Sequence, residues 1–222
     1  MRAWLVDRWG EPEEMRLAEI DPPDPGPDRV RIRAHAAGVN FFDILQVQGK
    51  YQIKPPFPFT PGAEIAGVVE KTGQRVMAFP QQGGFAEVCA APAGRVFPIP
   101  NQMPFAEAAC LLVYHTSLFA LRERAALAGR EWLLVHAGAS GVGMAAIQIG
   151  AAMGARVIAT AGSAGKLDFC RAQGAQHAID YTDATWVDRV KEITGGRGAD
   201  VICDPVGGDV FDLSTRCIAP EG

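Results

Sequence analysis

Between residues 132 and 147 an apolar run, Trp132-Leu133-Leu134-Val135, halts at a cluster of small residues and then resumes with helical spacing. That order is strand, glycine turn and helix, an arrangement that presents backbone N–H groups and a positive helix end to the pyrophosphate of a dinucleotide. Gly141 and Gly143 carry no Cβ, so the backbone there can approach phosphate and sheet closely. The literal G-x-G-x-x-G spacing is absent. Ser140 stands in its second glycine place, where a side chain would narrow the phosphate approach. Taken alone, the turn is equally compatible with an ordinary strand-to-helix loop.

A second apolar strand follows over residues 156–160, about 20 residues beyond the glycines. An NAD enzyme places Asp or Glu at the end of this strand to bond the ribose 2′-hydroxyl. Here the residues are Ala161-Gly162-Ser163, then Ala164-Gly165-Lys166. No carboxylate repels a 2′-phosphate, while a hydroxyl and an ammonium are present to bind one. Ser163 also reads as an N-cap and Lys166 as a solvated helix residue, although a cation in a first turn is disfavoured by the helix dipole unless an anion offsets it. The cofactor expected is NADPH.

The strand–helix unit then repeats. Residues 177–180 read as a third strand, 186–193 as an amphipathic helix, 201–204 as a fourth strand, and a helix runs from about Val210 to near Pro220. Strands alternating with helices at this spacing predict an α/β fold with a doubly wound parallel sheet. The fourth strand would be an exposed apolar edge, because a fifth is due where the chain stops. The chain is therefore expected to be a truncated form of a longer protein.

The first half differs in texture. Residues 22–27, rich in proline, form a rigid surface loop. Residues 30–36 alternate as a half-buried strand, and 65–70, 75–79 and 83–90 read as further short strands. Such a pattern predicts a small β-barrel domain over residues 1–113, ahead of a partial nucleotide-binding domain over 114–222, with helices across 105–126 between them. The 222 residues carry 48% hydrophobic and 21% charged side chains and a net charge of −4, which gives no reason to propose nucleic acid or an anionic membrane as partner. Charges come too early for a signal sequence and no stretch is apolar for 18 residues, so a cytoplasmic location is expected. The five cysteines are scattered without a C-x-x-C pair, indicating neither a disulfide framework nor a zinc knuckle.

Four stretches together carry a family resemblance: Ala37-Gly38-Val39-Asn40-Phe41-Phe42-Asp43, Thr60-Pro61-Gly62-Ala63-Glu64-Ile65-Ala66-Gly67, the glycine turn, and Ile193-Thr194-Gly195-Gly196-Arg197-Gly198-Ala199-Asp200. With them the whole chain resembles the zinc-independent quinone oxidoreductases (zeta-crystallin-like) of the medium-chain dehydrogenase/reductase superfamily. The resemblance implies a GroES-like barrel followed by a Rossmann-type sheet, and a homodimer made by the sheet edge in the part that this chain lacks. In zinc alcohol dehydrogenases of the superfamily a Cys stands where Asn40 is and a His where Ala63 is. Neither an amide nor a methyl replaces those ligands, so no metal is expected.

The chemistry so implied is hydride transfer from NADPH to an already electrophilic acceptor, a quinone or an α,β-unsaturated carbonyl. The alternatives are an enoyl-thioester reductase of the same fold and a non-enzymatic NADPH-binding structural or regulatory protein. Position by position, the family's cofactor contacts fall on Asn40, Tyr51, Thr116, Ala139, Ser140, Gly141, Val142, Gly143, Gly162, Ser163, Lys166 and Tyr181. Asn40 and Tyr51 are the candidate catalytic pair, at the nicotinamide and substrate side. Each has a plainer reading as well: Asn40 as a turn residue, Tyr51 as a half-buried aromatic, Thr116 as a cap at the start of a helix, Tyr181 as a loop aromatic. Glu64 and Asp43 read as structural hydrogen-bonders, and His115, the one histidine expected near the cleft, as packing.

Overall fold

In the computed structural model, which describes residues 1–222, the chain divides into two units, Met1–Leu112 and Val113–Gly222. In the first, β1 (Arg2–Leu5) and β2 (Arg16–Glu19) form an antiparallel pair. The strand β3 (Arg29–Ala37) then alternates exposed arginines with inward Val30, Ile32 and Ala36, the period-2 pattern that burying one face of a sheet requires. It is followed by α1 (Phe41–Val47), β4 (Ile65–Val69), β5 (Arg75–Ala78), β6 (Val88–Pro92) and β7 (Val96–Pro98). Five of these strands make one antiparallel sheet in the order β6-β3-β4-β5-β7. Its core is Ile32, Ile65, Val69, Val76, Ala78, Cys89 and Ala91.

One strand begins later than its sequence suggests. Residues 83–87 were expected to pair, yet Gly83 has φ +89° and the N–H groups of Gly83, Gly84 and Phe85 donate to the carbonyls of Thr60, Gly62 and Pro61. Residues 83–85 thus donate to a neighbouring turn, while 85–87 bond to β1 and β3. Phe85 O accepts from the Trp4 N–H, the Glu87 N–H donates to Arg2 O and Glu87 O accepts from the Ala34 N–H, around an isolated bridge from Ala86 to Ala3. The regular ladder starts at Val88.

Helices α2 (Phe105–Ala108) and α3 (Leu111–Leu118) lead into a π-helical stretch, Phe119–Arg124. The second unit then carries β8 (Trp132–Val135), α4 (Gly141–Ala152), β9 (Arg156–Ala161), α5 (Ala164–Ala172), β10 (His177–Asp180), α6 (Trp186–Ile193), β11 (Val201–Cys203) and α7 (Asp209–Ser214). All four strands are parallel, in the order β10-β9-β8-β11. Alternate residues of one strand enter different cores. Leu133, Val135, Val157 and Ala159 pack with Ala146, Ile147 and Cys170, whereas Leu134 and Ile158 pack with Trp186, Val187 and Val190. Both faces are covered, which is why the strands read as continuous apolar runs.

One expectation at the end of the chain needs correction. The last helix stops at Ser214 rather than near Pro220, where the Cys217 N–H turns back to the Ser214 carbonyl. As expected, β11 is the edge strand of the sheet, pairing with β8 alone; just before it, Ala199 donates to Cys217 O and accepts from the Ala219 N–H, both at 2.8 Å, in a parallel bridge to Ile218. No helix is long and apolar enough to cross a membrane.

Candidate functional site

Parallel strands release their chains at one end of a sheet, and the turns there collect ligands. The turn after β8 passes through Ala137, at φ +48°, to Ser140, the N-cap of α4. The Ser140 hydroxyl accepts from the Gly143 N–H at 3.1 Å, and its carbonyl accepts from Met144 N–H. Ser140 is thus the helix cap, its hydroxyl taking one of the N–H groups at the start of α4. The N–H groups of Gly141 and Val142, at the first two helical positions, have no acceptor within the helix and remain for an anion. A Cβ on Gly143 would collide with the Ala137 carbonyl oxygen, so glycine is required there by the turn's own backbone. Gly141 is less constrained, since its Cβ would meet only Val113 Cγ1 at 3.3 Å. Ala139 packs its methyl on the core between β8 and α4.

At the end of β9, Gly162 lies under Tyr181, with an added Cβ 2.9 Å from the Tyr181 hydroxyl. Tyr181 follows β10 and is 47% exposed. Ser163 occupies the N-cap of α5 but closes no side-chain capping bond, so the cap role expected of its hydroxyl is not taken up. Lys166, three residues on and on the same face of the first turn, is exposed and has no carboxylate partner. The structure therefore brings Gly162, Ser163, Lys166 and Tyr181 to the same sheet end as residues 139–143. Thr116 lies in the interior of α3, not at its start, so it is no helix cap.

Several polar residues in this unit escaped the sequence reading. Buried Ser117 donates to the Val142 carbonyl at 3.0 Å and so fastens α3 to the glycine turn's helix. His136 is 1% exposed, with Nδ1 2.9 Å from Thr160 Oγ1 and Nε2 2.9 Å from Ser214 Oγ. Ser214 donates to Val210 O, so it accepts from Nε2–H. Burial pushes the His136 pKa down, with the Asp204 charge opposing, and the ring works as a neutral tie between β8, β9 and α7. No local signal marks such a residue, because its partners lie 24 and 78 positions away.

In the first unit, Asn40 is the N-cap of α1. Asp43 Oδ2 accepts from the Asn40 N–H at 2.8 Å, and the Asn40 side chain faces the first turn, whose Asp43 N–H is taken by the Asn40 carbonyl. The Asn40 Nδ2 donates to Glu64 Oε2 at 3.2 Å, while Glu64 Oε1 accepts from the Leu112 N–H at the start of α3. Glu64 and Asp43 are 2% and 3% exposed. Burial raises the Asp43 pKa to about 6, against the N–H groups of Asn40 and Gly62, and burial likewise raises that of Glu64 against its hydrogen bonds to Leu112 and Asn40. Gly38 is obligatory beneath this cluster, because a Cβ would strike both the Ala109 carbonyl and the Glu64 carboxylate. Tyr51 is half-buried, tilted against Phe42 at 5.4 Å, and its N–H donates to Leu45 O. No three histidine, cysteine or carboxylate side chains converge as a metal site would need.

A GroES-like antiparallel sheet followed by a doubly wound sheet with a glycine turn at a helix N-terminus defines the two-unit fold of the medium-chain dehydrogenases. The family model described as alcohol dehydrogenase GroES-like domain matches residues 26–101, and that described as zinc-binding dehydrogenase matches 141–222. Quinone oxidoreductase-like protein 2 homolog of Nematostella vectensis is 40% identical over 209 residues, covering 89% of this chain and 57% of that protein. The crystal structure of Escherichia coli quinone oxidoreductase complexed with NADPH superposes with a TM-score of 0.95 at 32% identity, over 100% of this chain and 71% of that one. CurK enoyl reductase superposes with a TM-score of 0.90 at 27% identity, over 100% and 72%. The chain belongs to the quinone oxidoreductase family of the medium-chain dehydrogenase/reductase superfamily. It spans 57% to 66% of the length of the curated quinone oxidoreductase-like relatives it matches.

Proposed function

We propose that the protein binds NADPH and transfers hydride to a quinone or an α,β-unsaturated carbonyl without a metal. The observation that carries the reading is Lys166: an exposed ammonium in the first turn of α5, unpaired, three residues from a hydroxyl that closes no cap bond, after a strand that ends without a carboxylate. That combination suits a 2′-phosphate, and it lacks the carboxylate that would accept a hydrogen bond from a free 2′-hydroxyl. In this reading the N–H groups of Gly141 and Val142 hold the pyrophosphate, Ala139, Ser140 and Gly143 shape the turn, and Gly162 and Tyr181 border the adenosine. Thr116, Asn40 and Tyr51 serve the nicotinamide and acceptor end. When bound, the cofactor supplies the hydride, and the protein contributes position and a pocket. Asn40 and Ala63 present an amide and a methyl, neither of which is a zinc ligand type.

The fold likeness to an enoyl reductase supports a second reading, in which the acceptor is an enoyl thioester. Steady-state NADPH oxidation by the purified protein, offered in turn a quinone, a simple enone and an enoyl thioester, separates the two by which acceptor turns over. The same assay after dialysis against EDTA is expected to be unchanged. Activity lost to the chelator and restored by zinc overturns the metal-free reading, and cofactor binding without turnover of any acceptor overturns the enzymatic one.

A further inference from the structure

A primary amide can be built two ways round, and only its partners decide which end points where. At Asn40 those partners are decisive. Glu64, when ionised, accepts hydrogen bonds and donates none, so it selects the NH2 end at 3.2 Å. The carboxylate itself cannot turn away, since its other oxygen holds the Leu112 N–H at the start of α3 and Gly38 leaves it no slack beneath. The opposite end of the amide faces the first turn of α1. With one Nδ2 hydrogen on Glu64, a single N–H is left over, aimed by the carboxylate and the helix together, on a side chain that is only half-buried.

We propose that Glu64 is a positioning residue: it fixes the Asn40 amide so that its remaining N–H donates to a carbonyl oxygen of the bound reactants. This rests on the assignment of Asn40 to the nicotinamide and acceptor end made above. The carbonyl belongs either to the cofactor's carboxamide or to the acceptor. A donor to the first aligns the cofactor, whereas a donor to the second strengthens as negative charge develops on the acceptor oxygen. Neither role requires Glu64 to touch substrate.

The test is a double-mutant cycle on NADPH-dependent turnover. In Glu64→Gln, the oxygen of the new amide must stay on Leu112 N–H, which turns its NH2 against Asn40 Nδ2, donor facing donor. Asn40→Ala and Glu64→Gln are each expected to lower kcat/KM about tenfold, the effect of one lost hydrogen bond. Combined, they should be no worse than Asn40→Ala alone, because Glu64 acts only through Asn40. An elevated KM for NADPH identifies the cofactor carboxamide as the carbonyl, and a lowered kcat identifies the acceptor. Additive losses overturn the positioning role while leaving the proposed function standing. No loss in Asn40→Ala instead removes Asn40 from the reacting end. Asn40→Asp with Glu64→Gln separates folding from chemistry, since it rebuilds the internal hydrogen bond with donor and acceptor exchanged but lacks the outward N–H. It should melt like wild type and turn over like Asn40→Ala, and full activity in that pair overturns the inference.

Discussion

Asp43 is a carboxyl group that the fold makes costly to ionise. Its pKa lies at about 6 instead of 3.8, with desolvation outweighing the N–H groups of Asn40 and Gly62. A raised acidic pKa means that the folded protein binds this proton more tightly than the unfolded chain does. The associated stability is fully present below about pH 3.8 and is lost as the pH rises through about 6. At about 1.4 kcal/mol per pH unit, ionising Asp43 in the fold costs about 3 kcal/mol. Asp43→Asn removes the charge, keeps an oxygen to accept the Asn40 N–H, and places its NH2 where Oδ1 has no hydrogen-bond partner. Part of the gain should arrive through Glu64, whose pKa is raised in part by the Asp43 charge. The variant is expected to be more stable than wild type at pH 8 by up to about 3 kcal/mol, with the difference vanishing below about pH 4. Urea unfolding of both proteins at intervals from pH 4 to pH 8 measures it, and taking the difference cancels the titrating groups that Asp43 does not influence, leaving Asp43 and its neighbour Glu64. A difference that stays flat across this range, or that favours wild type at pH 8, refutes the argument that burial dominates at Asp43.

Lys166→Ala should weaken NADPH by about 1–3 kcal/mol, the scale of a lost charged hydrogen bond, and leave NADH nearly unchanged. Equal weakening of both cofactors in titration calorimetry would show that Lys166 does not read the 2′-phosphate. Gly143→Ala should destabilise by about 1–3 kcal/mol through the forced contact with Ala137 O. Gly141→Ala, which meets only a flexible Val113 methyl and gains helix propensity, should stay within about 1 kcal/mol of wild type. Thermal melts of the two variants decide the matter, and equal destabilisation would show that the turn relaxes around either methyl.

The second unit was more legible in the sequence than the first. Helix α6 spans Trp186–Ile193 as its apolar period indicates, and β8 and β9 are the continuous apolar runs that two covered faces demand. Such signals are local, written in 3.6-residue or unbroken periodicity. At residues 83–87 the strand-like Gly-Gly-Phe-Ala-Glu pattern holds only in part, because the N–H groups of Gly83, Gly84 and Phe85 go to the turn at residues 60–62 and pairing with β1 and β3 begins at Phe85. Ser140 was legible as a departure from a motif but not as the cap for Gly143, since the register of the turn decides which N–H its hydroxyl meets. The Asn40–Glu64 bond spans 24 positions and His136–Ser214 spans 78, distances over which neither spacing nor composition carries information. Asn40 and Glu64 could be singled out individually. Their partnership required the fold.

The position of Asn40 narrows the alphabet available to evolution there. As the N-cap of α1 it could be exchanged for Ser, Thr or Asp with little cost to the helix. The contact with Glu64 removes each of those options: Asp sets a second buried negative charge beside Glu64, and the hydroxyls of Ser and Thr are shorter, with a single hydrogen to give. Gln reaches too far to act as a cap, and Cys or His would turn the pair toward metal ligation. Among the preferred capping residues only asparagine gives this carboxylate a hydrogen and keeps a second one to donate elsewhere. A screen of all substitutions at residue 40 for NADPH-dependent turnover should therefore return a far shorter set than a screen of the same substitutions for folded protein.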